Sequence, residues 1–367
     1  MESCANQNKV KKLTIKEIAK LANVSEGTVD RVIHNRSGVS DKTAKKIKDI
    51  LQQHDFSLNP IASALANNKK FKIAVLMPDK DAGSDYWEIP FKGMQEAASR
   101  IKDFGFSIRY FLFNQFDESL FLEEFDKLLA FHPDGVILAP VFAKESAERL
   151  PFLEQRGTPY LFIDSQLAGF ESLSFVGQDS FESGVVAGRL MDLFLSKEGE
   201  SAILQTRKNI SNHDAIFKRI GGYQSFFTTY SVTKGIKTLF VSEFNLKKDI
   251  ESAVDKFLEE NPKVEGIFVP SSRISYFSRF FPSHISMIGF DTTAGNIEAL
   301  ERGEIKFIIS QKSLDQGYQA VMLLFDYLLY KKIPRRQYFC DIEIILKENI
   351  RYTSFANISS RIFPDLK

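Results

Sequence analysis

Two groups of residues in this chain have types and spacings that can do chemistry. The first is SEGTVDRVIHNR, residues 25–36, which places short polar side chains at the start of an amphipathic helical pattern and basic ones after them. Glu26 and Gly27 stand at the exposed start, where side chains can meet base edges in a groove. Arg31 and His34 fall one and two turns further along. A guanidinium such as that of Arg31 can grip guanine through two parallel hydrogen bonds. The same segment also reads as an ordinary amphipathic helix with a solvated arginine.

The second group closes short apolar runs of β type. Asp164 ends PYLFID, Asp291 ends ISMIGFD and Gln311 follows KFIIS. Carboxylates and amides at strand ends can take the paired hydroxyls of a small polar molecule, and can equally cap the loops that follow them. No other pattern points to catalysis. The chain holds no G-x-x-x-x-G-K-[ST] loop, no G-x-S-x-G elbow and no H-E-x-x-H pair, and MPDKDAGSDYWEIP after the first strand lacks G-x-G-x-x-G. The five histidines (His34, His54, His132, His213, His284) are scattered, and Cys4 and Cys340 lie near opposite ends. No catalytic residue, metal site or cofactor is therefore expected. A reducing, cytoplasmic setting is expected as well, since no apolar stretch reaches the length of a signal core or of a membrane span.

The elements needed to position these residues fall into two textures. Before residue 70 there are three short helical patterns. Thr14 with Glu17 makes a capping box ahead of Ile15, Ile18, Ala19 and Ala22; Ser25 caps a second helix with Val29, Val32 and Ile33 inward; Ser40 caps a third with Ala44, Ile47 and Leu51 inward. The brief turn at Asn23-Val24 makes the first two a helix-turn-helix. In NPIASALANNKK, Asn59 can cap and Pro60 can open a further helix. It is shorter than the roughly 12 to 15 residues that are even marginal alone, so it should form only with a partner. Leu65, followed by Lys69 and Lys70, suits a wedge in a DNA minor groove, and the segment also reads as an ordinary linker helix packed on the lobes.

Beyond Phe71, β-rich runs at 72–77, 106–113, 135–139, 159–163, 174–177, 201–205, 236–241, 266–270, 285–290 and 306–310 alternate with helices such as Phe91–Asp103, Glu182–Leu195, Ile216–Thr229 and Leu314–Tyr330. That alternation predicts a doubly wound, parallel α/β architecture in two lobes. The expected organisation is an all-α headpiece over 1–58, a hinge helix and linker over 59–70, and a core over 71–367. Within the core, lobe 1 takes 71–177 and 312–338, and lobe 2 takes 178–311 and 339–358.

The 367 residues carry 48 Lys+Arg and 47 Asp+Glu, a formal charge of +1 that on its own gives no support to a nucleic-acid role. Cut at residue 70, the first part holds 13 basic and 7 acidic residues and the remainder 35 and 40. The near-neutral total is a cancellation between a basic module and an acidic one, and the basic module calls for an anionic partner.

From Leu13 to about Ala66, TIKEIAKLANVSEGTVDRVIHNRSGVSDKTAKKI followed by NPIASALA resembles the headpiece of the lactose-repressor (LacI/GalR) family of transcription regulators. The likeness continues through a two-lobed core similar to periplasmic binding proteins, and so covers nearly the whole chain. It implies a homodimer on double-stranded, pseudo-palindromic operator DNA, with an allosteric effector in the cleft, most simply a sugar, and a repressor's role. The absence of a heptad repeat over 349–367 gives no support to a tetramer. Carried over by position, the DNA-contacting residues would be Thr14, Ser25, Glu26, Gly27, Thr28, Arg31 and His34, with Asn59, Ala62 and Leu65 from the hinge helix. Asp30 stands where the family usually has Ser, and three readings stay open for it: orienting Arg31, accepting from a cytosine amine, or standing by in solvent.

In the cleft the core resembles pentose-binding members of the fold. Arg219 matches the arginine that grips sugar hydroxyls or a carboxylate, Asp291 and Gln311 the second-lobe contacts, and Asp164 a first-lobe carboxylate. Tyr86 and Trp87 lie where aromatic side chains flank the ring, and Asp79 and Ser271 are further candidates. Ser165 replaces a common arginine and Ser271 a common asparagine, which speaks against ribose itself. A transporter's sugar-binding protein shares the core without the headpiece, and an α/β enzyme acting on a sugar is the remaining alternative.

Overall fold

A computed structural model describes residues 13–33, 36–54, 70–79, 85–206, 214–230, 234–242 and 246–353. The chain divides into two compact units between Asn67 and Asn68.

In the N-terminal unit, helices α1 (Ile15–Ala22), α2 (Glu26–Ile33) and α3 (Asp41–Gln53) enclose a small core of Ile18, Ala19, Ala22, Val29, Val32 and Ile47. Thr14 opens α1 with the expected capping box: its hydroxyl accepts from Glu17 N–H and its own N–H donates to the Glu17 carboxylate at 2.7 Å. Asn23 ends α1 in the left-handed region at φ 58°, a conformation asparagine tolerates well, and this allows the sharp entry into α2. Ser25 and Ser40 cap α2 and α3 by accepting from Thr28 and Thr43 N–H. Lys46 of α3 donates to the Ala22 carbonyl at 2.9 Å, placing a cation at the negative end of α1.

The C-terminal unit holds two six-stranded sheets. The first, in spatial order β11-β5-β4-β3-β1-β2, comprises β1 (Phe71–Pro78), β2 (Phe106–Phe113), β3 (Gly135–Leu138), β4 (Tyr160–Ile163), β5 (Ser174–Gln178) and β11 (Gln337–Cys340). The second, β12-β10-β9-β8-β6-β7, comprises β6 (Glu200–Gln205), β7 (Ile236–Phe240), β8 (Val264–Phe268), β9 (Ser286–Phe290), β10 (Phe307–Ser310) and β12 (Glu343–Ile345). β1 buries Ile73, Val75 and Met77 against one apolar cluster and Ala74 and Leu76 against another, as a strand covered on both faces must.

Among the described residues every pairing is parallel except β10 with β12. That departure from the all-parallel expectation has a topological cause. β10 runs towards the cleft, whereas β12 enters the second sheet from the hinge and must run away from it. β11 and β12 also lack the continuous apolar runs of the central strands, being edge strands with mostly exposed or half-buried residues.

Helices α4 (Glu88–Ile101) and α12 (Ser313–Tyr330) pack together on the first lobe, while α5 (Glu118–Phe131) and α6 (Ala143–Gln155) complete it. In the second lobe α7 (Ser180–Asp192) lies against α8 (Asp214–Tyr230), with α9 (Lys247–Glu260), α10 (Ile274–Ser278) and α11 (Ala294–Glu301) beyond. α7 and α8 approach so closely that a Cβ at Gly184 would strike the Arg219 carbonyl, and one at Gly222 the Phe181 carbonyl. Over the described residues the chain passes between lobes three times, after β5, β10 and β11. The buried Gln178 ties these crossings together, its Nε2 donating to the Ser310 and Asp341 carbonyls at 3.1 Å each.

Candidate functional site

The C-terminal ends of both sheets face one cavity of about 100 Å³. It brings together Tyr86, Trp87, Asp164, Arg219, Ser271, Asp291 and Gln311, seven of the eight residues named above for a ligand. Asp79 is not among its lining; it follows β1 and donates its N–H to the Phe113 carbonyl as a continuation of the sheet.

One wall is a chain of buried polar groups. Arg219, from the second turn of α8, donates to the Pro270 carbonyl at 3.1 Å and to Gln311 Oε1 at 3.0 Å, and its guanidinium lies 3.9 Å from the Phe290 ring centre. Gln311 Nε2 donates onward to Asp291 at 2.8 Å, and Gln316 Nε2 donates to the Gln311 carbonyl. Each side chain therefore fixes the next, so the face presented to a ligand is set in advance. Asn296 holds the loop below by donating to the Phe290, Asp291 and Ser272 carbonyls.

Across the cavity the Tyr86 hydroxyl donates to Asp164 at 2.5 Å, and Ser165 donates to the other oxygen of the same carboxylate at 3.2 Å. Tyr86 and Trp87 meet edge to face and are buried in the lobe 1 core as well as facing the cavity, so they act as both core and wall. Burial pushes the carboxyl of Asp291 up to about 7, against the opposing pull of Arg219 and the Gln311 hydrogen bond. Burial likewise raises the carboxyl of Asp164, with Arg219, Tyr86 and Ser165 pulling the other way. The Tyr86 hydroxyl is held well above its ordinary value by burial and by the charges of Asp164 and Asp291, so it remains a donor. Two carboxylates, one buried guanidinium, amides and aromatic faces suit an uncharged polyhydroxyl compound.

Sequence reading missed Gln115, Thr206 and Arg273, which also line the cavity. Thr206 follows β6 and Gln115 lies two residues past β2, so the strand-end rule that singled out Asp164 applies to both. Among the described residues, no cluster of His, Cys, Asp or Glu could hold a metal ion, and no helix is long and apolar enough to cross a membrane.

In the N-terminal unit, Glu26, Gly27 and Arg31 are exposed on α2, and the caps Thr14 and Ser25 are exposed too. Thr28 is half-buried, with its hydroxyl bonded to that of Ser25 at 2.9 Å. Asp30 pairs with Arg36 at 3.3 Å. His34, Asn59, Ala62 and Leu65 lie outside the described residues.

Residues 73–332 match the family described as periplasmic binding protein domain, and residues 14–59 match bacterial regulatory proteins, lacI family. Catabolite control protein A of Priestia megaterium is 24% identical over 333 residues, covering 86% of this chain and 92% of that protein. A crystal structure from Bacteroides fragilis, assigned to the LacI transcriptional regulators, has a TM-score of 0.73 at 26% identity and covers 78% of this chain and 100% of its own. An ABC transporter solute-binding protein from Agrobacterium vitis, bound to α-D-tagatopyranose, has a TM-score of 0.68 at 20% identity over 78% of this chain and 98% of its own. The chain belongs to the lacI family of bacterial regulatory proteins, DNA-binding regulators of transcription, and its core is a periplasmic binding protein domain.

Proposed function

We propose that this regulator is a cytoplasmic, homodimeric repressor without catalytic activity, whose operator affinity is set by a sugar or sugar derivative bound between the lobes of the core. Residues 1–58 serve as the DNA-binding headpiece, 59–70 as hinge, and 71–367 as effector-binding core. The observation that carries this reading is the convergence of Asp164, Asp291, Gln311 and Arg219 with Tyr86 and Trp87 on one cavity. A sugar ring needs the same set: acceptors and donors for its hydroxyls and flat apolar surface for its C–H faces. The tagatopyranose held by the Agrobacterium vitis protein shows that this fold can take a sugar.

In this reading Glu26, Gly27 and Arg31 of α2 meet base edges in the major groove, and Thr14 and Ser25 meet phosphates. Closure of the lobes on the sugar is transmitted through residues 59–70 to the headpieces and alters their fit to the operator. The effector-binding half is tested by a thermal-shift screen of pentoses, hexoses, polyols and sugar phosphates. A cleft ligand at 100 times its dissociation constant should stabilise the chain by about 2.7 kcal/mol. Failure of every class to raise the midpoint would remove the sugar from this account.

A further inference from the structure

Gln115 lies between β2 and α5, only 8% exposed, on the wall of the cavity that Pro140 and Val141 also line. Its Nε2 is buried and has no hydrogen-bond partner, and Arg219 Nε is in the same position. Buried donors are satisfied in the great majority of cases, so a pair of them in one small cavity marks where a bound molecule supplies acceptors. The rest of the lining asks for the opposite: Asp164 and Asp291 present carboxylate oxygens that take hydroxyl donors.

We propose that Gln115 is a specificity-determining ligand contact, donating through Nε2 to an acceptor oxygen of the effector in the cavity that Arg219, Gln311 and Asp291 also line. The effector is then two-sided, with adjacent hydroxyls directed to the aspartates and a ring or carbonyl oxygen directed to Gln115 and Arg219 Nε. This assignment rests on the reading of the cleft as a sugar site and says which end of the sugar is discriminated. A residue past the end of β2 in this role adds a first-lobe contact to those of Tyr86 and Asp164.

The test compares the full chain with Gln115→Met, which keeps length and loses the donor, and Gln115→Glu, which keeps shape but offers acceptors. Thermal midpoints are read without ligand and with D-ribose, D-glucose, D-galactose, D-tagatose and maltose. For any sugar that shifts the unaltered chain, both variants should bind it at least tenfold more weakly. The ligand-free midpoint of Gln115→Met should be no lower than that of the unaltered chain, because a buried unpaired donor has been removed. Unchanged sugar affinity in the variants, or a ligand-free midpoint lowered by Gln115→Met, would overturn the assignment. Should none of the five sugars shift the unaltered chain, the compound of the wider screen that does takes their place in the comparison; if no class raises the midpoint, the sugar reading is what fails. The ligand-free comparison then decides for Gln115 alone: a raised or equal midpoint keeps the assignment and a lowered one ends it.

Discussion

Asp164 and Asp291 occupy the same point of two like-ordered sheets, each immediately past the third strand in spatial order, β4 in one lobe and β9 in the other. Each has a left-handed backbone, φ 67° and 72°, and each donates its N–H to the neighbouring strand, at Val176 and Ile309. Aspartate is one of the few non-glycine residues at ease in this region, and the turn aims both carboxyls into the cleft. The lobes thus supply matched acceptors from opposite sides.

Asp291 makes stability without ligand depend on pH. Its folded value of about 7 lies above the ordinary 3.8, so its contribution is full below about pH 4 and is lost as pH rises through 7. The raised carboxyl of Asp164 acts in the same direction. The melting midpoint of the ligand-free chain should fall more steeply between pH 5 and pH 8 than that of Asp291→Asn. The variant retains an acceptor for Gln311 and tolerates the backbone angle. Parallel midpoint curves for the two proteins would contradict this.

Arg219 is the buried cation that both carboxylates share. Arg219→Met should lower stability by about 3–5 kcal/mol at pH 8, where the carboxylates are left without it, and by less at pH 5, where Asp291 is protonated. Urea denaturation at the two pH values reads the difference. An equal loss at both would mean that the arginine acts through packing on Phe290.

Gly184 holds α7 against the Arg219 carbonyl. Gly184→Ala should destabilise by about 1–3 kcal/mol, the usual range for overpacking. It should also weaken the response to a cleft ligand, since α8 must move and carries Arg219 with it. Chemical denaturation and thermal shift with a responding sugar check the two effects, and a ligand response of full size would separate Arg219 from this contact.

Arg31 is exposed on α2, and Arg31→Ala should reduce binding to a DNA site selected from a random pool by about 1–3 kcal/mol, with much less effect on unrelated DNA. Fluorescence anisotropy on both duplexes at one salt concentration measures it. Equal losses on the two would make Arg31 a phosphate contact.

Much of this was legible in the sequence where one residue carries a local signal. Thr14 with Glu17, Ser25 and Ser40 announced the headpiece helices, and Asp164, Asp291 and Gln311 stood out as polar groups closing apolar strands. Arg219 was visible only through family likeness, because an arginine on an amphipathic helix reads as solvated until packing buries it. Gln115 stands two residues past β2, where the strand-end rule reaches it, but NQFDES reads first as a polar turn and only the fold brings its amide inward. The hinge tie of Gln178 joins carbonyls 132 and 163 residues away, and the reversed β12 follows from where the chain re-enters a sheet; neither leaves a local pattern.

In the proposed mechanism cleft and operator share one free energy. This coupling is tested most directly by titrating the full chain on its selected DNA site across a series of concentrations of the sugar that stabilises it. Operator affinity should change about 5- to 150-fold between no sugar and saturation, and the sugar's own affinity should change by the same factor when operator is present. Independent binding, with neither affinity altered by the other ligand, would contradict the account.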